Sequence, residues 1–141
     1  MKKRLWPLLF LFVGLAACTG IEGEWPEDAA LVPPGELRGE IILPEGASVP
    51  ADAELRLRLV NASFAYGGQA LAEIRQPAES SATLPFEFPF DPEPVIDRAS
   101  YTLEATIHDG DGRLIYFTRE RPVVIRNGRQ LAGVTVSLVT P

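Results

Sequence analysis

Apolar and polar residues alternate along most of this chain. Leu37, Gly39, Ile41 and Leu43 alternate with Arg38, Glu40 and Ile42, and Ala53, Leu55, Leu57 and Leu59 alternate with Glu54, Arg56, Arg58 and Val60. Leu84, Phe86, Phe88 and Phe90 share a face. So do Tyr101, Leu103, Ala105 and Ile107, opposite Thr102, Glu104, Thr106 and His108, and Val134, Val136 and Leu138 close the pattern. A period of two places successive side chains on opposite faces of an extended chain, so these runs predict strands with one buried face. Shorter or less regular runs predict further strands at 69–75, 113–119 and 122–126.

Turn chemistry separates the runs: Pro44-Glu45-Gly46, Tyr66-Gly67-Gly68, Asp109-Gly110-Asp111-Gly112 and Asn127-Gly128. The strands on either side of Asp109–Gly112 form the clearest hairpin. No useful stretch has helical periodicity beyond the N-terminal leader. Seven or eight short strands predict an all-β domain over 36–141, an antiparallel β-sandwich, with a small closed barrel as the runner-up.

The first residues follow another rule. Lys2, Lys3 and Arg4 precede the uncharged apolar run Leu5–Ala17, 13 residues long. A membrane-spanning helix needs roughly 20 such residues, so the run fits a signal peptide, residues 1–17. It ends in Leu15-Ala16-Ala17-Cys18. That sequence resembles the bacterial lipobox, in which the cysteine takes a diacylglycerol before cleavage on its N-terminal side. Cys18 is the only cysteine of the chain, so no intramolecular disulfide can form. It is read as the lipidation site, and acyl chains such as palmitate anchor at about 0.8 kcal/mol per buried CH₂. Thr19 stands where Asp would mark inner-membrane retention in enterobacterial sorting, so the expected address is the outer membrane, facing the periplasm. Residues 18–35 carry the lipid and a tether rich in Pro, Gly and acids. As a flexible coil the tether reaches on the order of 20–25 Å. Trp25 and Leu31 are its apolar exceptions.

Charge narrows the partners. Three of the 13 basic residues lie in the leader, which has no acid, so the remainder carries 10 basic against 19 acidic residues, all ten basic ones Arg. An acidic surface repels nucleic acid, which is not an expected partner. With 46% hydrophobic residues the chain has enough apolar mass for a core.

Chemistry-bearing residues are few. Asp109 and Asp111 invite a calcium reading, but such a loop needs six or more oxygens and the acid series stops at Arg113. No metal site and no cofactor is expected. His108, the only histidine, lies on the outward face of its strand with no nucleophile pattern near it in sequence, and no enzyme activity is expected. Asn61-Ala62-Ser63 matches a glycosylation acceptor, which the lipoprotein leader makes accidental; Asn61 is expected to end a strand. Arg56 and Arg58 form a basic pair to be balanced by acids on neighbouring strands.

Pro85, Pro89, Pro92 and Pro94 punctuate Phe86, Phe88 and Phe90. Pro85 and Pro89 lack N–H donors on the same side of an extended chain, which predicts an edge strand. The three phenylalanines either fill the core or wall an apolar binding surface; the first reading is favoured because Phe is usually buried.

The run Ala53–Ser63, the segment Leu84–Pro92 and the strand Tyr101–Ile107 resemble the YbaY-type lipoprotein family. That family is grouped with the YscW-type lipoprotein chaperones of type III secretion, the pilotins. The resemblance covers roughly 36–139. It implies a β-sandwich lipoprotein of the outer membrane with no catalytic residues to carry over; its pilotin members help a secretin reach that membrane. The expected function is thus a non-enzymatic, lipid-anchored domain that binds a protein or component of the envelope. The alternatives are a pilotin-like chaperone for a secretin and a carrier of a small apolar ligand.

Overall fold

The computed structural model describes residues 35–63 and 69–141. Cys18, the leader, the tether with Trp25 and Leu31, and the Tyr66-Gly67-Gly68 turn lie outside them. The strands are β1 (Glu36–Ile42), β2 (Glu54–Asn61), β3 (Ala70–Pro77), β4 (Thr83–Pro89), β5 (Ser100–His108), β6 (Leu114–Thr118), β7 (Val123–Arg126), β8 (Arg129–Gln130) and β9 (Val134–Val139). Only β8 has no predicted counterpart, because two residues are too few to show a period. Asn127 and Gly128 both have positive φ, 52° and 71°, so β7 and β8 form a hairpin on the turn those two residues favour.

The strands follow the hydrogen-bonded order β3-β2-β5-β6-β9-β1-β4, with β7 paired to β5 and carrying β8. This corrects the antiparallel sandwich. One nine-stranded sheet curls until its terminal strands approach each other, and the first and last strands of the described residues, β1 and β9, pair in parallel. The alternation shows that each strand buries one face. It is silent on whether those faces belong to two stacked sheets or to one curved sheet, and the runner-up barrel lies nearer the observed shape.

The buried faces are those of the pattern. Leu37, Ile41, Leu55, Leu57, Leu59, Leu103, Ala105, Ile107 and Phe88 are fully buried, and Val134, Val136 and Leu138 nearly so. Gly39 shares the inward face of β1. A Cβ there would strike the Val134 carbonyl, so glycine lets β9 approach β1 closely. The segment between β1 and β2 is held down by side chains. The Tyr116 hydroxyl accepts from the Ser48 N–H and donates to the Ser48 carbonyl, each at 3.0 Å, and Ser80 Oγ treats Val49 likewise.

Candidate functional site

β3 and β4 are consecutive strands joined by only residues 78–82, yet they form no ladder and stand at opposite ends of the sheet. Consecutive strands usually neighbour each other. Backbone accounting explains the exception.

The Phe90 N–H donates to the Gly35 carbonyl at 2.8 Å and the Leu43 N–H to the Ala82 carbonyl at 3.0 Å, both in the β1–β4 register. Along a strand, backbone groups point alternately to the two sides. Leu84, Phe86 and Phe88 therefore turn theirs toward β1, while Pro85, Glu87 and Pro89 turn theirs away. The Pro85 carbonyl fits this, accepting Gln76 Nε2 of β3 at 3.2 Å. On its open side β4 thus presents three carbonyls but one N–H, that of Glu87, because its two prolines have none.

β3 differs. The Ala78 N–H donates to the Ala53 carbonyl at 3.0 Å, in the β2–β3 register. Ala72, Ile74 and Gln76 therefore face β2, and Glu73 and Arg75 direct both N–H and C=O toward the seam. Here β3 has the donors and β4 lacks them.

The seam opens the interior. Ala72 and Ile74 pack on the core but are only partly buried, whereas Leu55, Leu57 and Leu59 on neighbouring β2 are fully buried. A groove of about 570 Å³ lies over β1 and β4 at the seam's margin, lined by Arg38, Gly39, Pro85, Phe86 and Glu87, with Gln76 its one residue from β3. Of the candidate aromatic residues, Phe86 is 4% and Phe88 0% exposed, and Phe90 is partly buried. Phe86 and Phe88 belong to the core cluster and Phe90 packs against it, and Phe86 alone of the three borders the groove.

Residues 32–137 match the family described as type III secretion system lipoprotein chaperone (YscW). The chain belongs to that family. No curated protein matches it. A solved structure shares the fold of this chaperone-family domain: an alternative pilotin from the type II secretion system of Vibrio cholerae. It has a TM-score of 0.66 and 20% sequence identity, and the alignment covers 75% of this chain and 96% of the pilotin.

Beside the seam, the outer face of this YscW-family domain carries a chain of alternating charge. Arg56 Nε meets Glu54 at 2.8 Å, and Arg75 bridges Glu54 at 3.7 Å and Glu73 at 3.0 Å. Arg58 bridges Glu73 at 3.6 Å and Glu104 at 3.2 Å, and Arg121 meets Glu104 at 3.0 Å. Arg56 and Arg75 stand directly opposite each other on β2 and β3, an unfavourable like-charge pair that Glu54 offsets. The hydrogen bond from Arg56, aided by the charges of Arg56 and Arg75, lowers the pKa of Glu54. Cross-strand acids thus balance Arg58, as the sequence leads one to expect, whereas the acid that meets Arg56 is Glu54 of its own strand.

The remaining candidates serve local structure. Asp109 Oδ1 accepts the Asp111 and Arg113 N–H groups at 3.1 and 2.8 Å, and Oδ2 accepts Arg113 Nε at 3.0 Å. Those bonds, the backbone bond from Arg113 first, lower its pKa. The hairpin turn therefore uses the carboxylate that a cation would need. Among the described residues no cluster of three or more His, Cys, Asp or Glu could hold a metal ion. Asn61 ends β2, its Oδ1 accepting the Ser63 N–H at 2.9 Å. His108 sits at the end of β5 with Nδ1 buried and unpartnered, and burial lowers its pKa. Sequence reasoning foresaw the proline edge. It missed the seam, which depends on where β3 ends up in the sheet.

Proposed function

We propose that this protein is a pilotin-like lipoprotein chaperone that escorts an outer-membrane secretin, anchored at Cys18 and facing the periplasm. The observation that carries the reading is the family match across residues 32–137, which takes in nearly the whole described domain. The pilotin from Vibrio cholerae supports it as a fold that accommodates this role in another secretion system. The leader gives the reading its address. A signal peptide and a lipidated cysteine would tether the domain at the membrane where a secretin must arrive. The role needs recognition and tethering and no bond chemistry. The broader expectation, a domain that binds an envelope component, is contained in this reading. The carrier alternative meets an interior already filled by Leu57, Leu103, Ile107 and Phe88, all fully buried.

The test is deletion of the gene in its own bacterium, with the secretin followed by membrane fractionation. Loss of secretin multimers from the outer membrane is expected, restored by the wild-type gene. Cys18→Ser is expected neither to restore them nor to incorporate a clickable fatty acid. Unchanged secretin distribution in the deletion strain would overturn the chaperone reading, and fatty-acid label retained on Cys18→Ser would overturn the anchor.

A further inference from the structure

We propose that the free edge of β3 receives an extended segment of a partner protein as an added strand, and that Pro85 and Pro89 keep β4 from taking that place. The proposal names the recognition surface of the chaperone reading and rests on that reading for the partner's class alone.

Three observations converge on the seam. Glu73 and Arg75 direct into it backbone donors and acceptors that no strand among the described residues pairs, the requirement for strand addition. The natural occupant of that edge, the next strand in sequence, is disqualified: β4 turns Pro85 and Pro89 toward β3 and so withholds two of its three donors. Among the described residues a side-chain bond, from Gln76 to the Pro85 carbonyl, spans the gap instead. Finally, the apolar lining is incomplete there, with Ala72 and Ile74 only partly covered. An added strand would satisfy the β3 edge and cover Ile74 in one step.

Charge states what that strand carries. Glu73 and Arg75 lie two residues apart on the exposed face of β3, flanking Ile74 on the inner face. A fitting segment places a basic residue opposite Glu73, an acidic residue opposite Arg75 and an apolar residue between them, facing inward. A second copy of this chain also offers such a triplet, Glu73-Ile74-Arg75. However, the β3 of a second copy comes with its own β2 behind it and its own β4 across its seam, so it cannot enter the space between β3 and β4 as a lone extended segment can.

A phage-displayed library of linear twelve-residue peptides, selected on the purified full chain, supplies the probe. Enriched peptides are expected to carry the basic–apolar–acidic triplet. Glu73→Pro removes one seam-facing N–H without touching the β2 ladder and is expected to weaken their binding at least tenfold. Pro85→Val/Pro89→Val restores two donors to β4. It is expected to let β3 and β4 pair, to abolish peptide binding and to melt no lower than wild type. Peptides that bind both variants as wild type, or a selection that enriches none, would overturn the proposal. A dimer in solution dispersed by Glu73→Pro would also overturn it, assigning the edge to a second copy. Peptides that behave as expected alongside an unchanged secretin in the deletion strain would keep the surface and reject the chaperone reading.

Discussion

At the scale of single residues, His108 carries a pH dependence that its burial predicts. Its Nδ1 is buried without a partner. A neutral ring can leave that nitrogen as a bare acceptor, but protonation would put an N–H there with nothing to receive it. Burial is accordingly the largest cause lowering its pKa from the ordinary 6.5, with the Arg56 charge next and Glu54 opposing. Because the folded value lies below the unfolded one, the unfolded chain binds more protons just below pH 6.5. The stabilisation is complete above that pH and is lost as pH falls toward the folded value. Glu54 and Asp109 also have lowered values, but theirs is stability present above the ordinary carboxylate range and lost at more acid pH. The windows separate. Melting midpoints measured from pH 8 to 5 should therefore fall below pH 6.5 in wild type and fall less in His108→Gln. Parallel curves would show that His108 is not the titrating group.

At the scale of elements, strands were legible wherever one face is buried, because burial writes its period into the residues. Edges were legible where a backbone donor is missing, as at Pro85 and Pro89. Partners were not, because alternation carries no record of which strand lies alongside. The middle of β5 shows what replaces a ladder where partners change. β6 pairs with Thr106–His108 and β7 with Ser100–Thr102. Between them Thr118 Oγ1 accepts the Ala105 N–H and donates to the Ala105 carbonyl, both at 2.9 Å. Thr118 is 8% and Ala105 0% exposed, so water cannot substitute readily. Thr118→Val keeps the shape and removes both bonds. The expected cost is about 1–3 kcal/mol for each orphaned backbone group, read as a lower denaturation midpoint, with Thr118→Ser recovering most of the loss. A valine variant as stable as wild type would mean that β5 and β6 close over the gap without the hydroxyl.

At the scale of the whole molecule, the N-terminal and C-terminal strands complete each other. β9 lies between β6 and β1 in the sheet, antiparallel to the one and parallel to the other. It alone joins the pair β1–β4 to the remaining strands in the hydrogen-bonded order. Val134, Val136 and Leu138 are at most 3% exposed and face the core. Burying three such side chains contributes about 1.5–3 kcal/mol each, which together approaches the 5–15 kcal/mol net stability of a typical domain. Removing β9 would also strip one side of β1 of its ladder and uncover the Gly39 notch against which the Val134 carbonyl rests. A chain ending at Gly133 should therefore lose its cooperative melt and bind a hydrophobic dye, as a collapsed chain without fixed packing does. It should also no longer present the seam, because β4 would have nothing to hold it opposite β3. Restoring residues 134–141 as a separate peptide should recover part of the transition, since the pairing is set by register and side-chain fit rather than by chain connection. A truncated chain that melts cooperatively near the wild-type midpoint would show that the β3-β2-β5-β6 half folds alone, and that β1 and β4 are an accessory layer rather than the wall that completes the barrel.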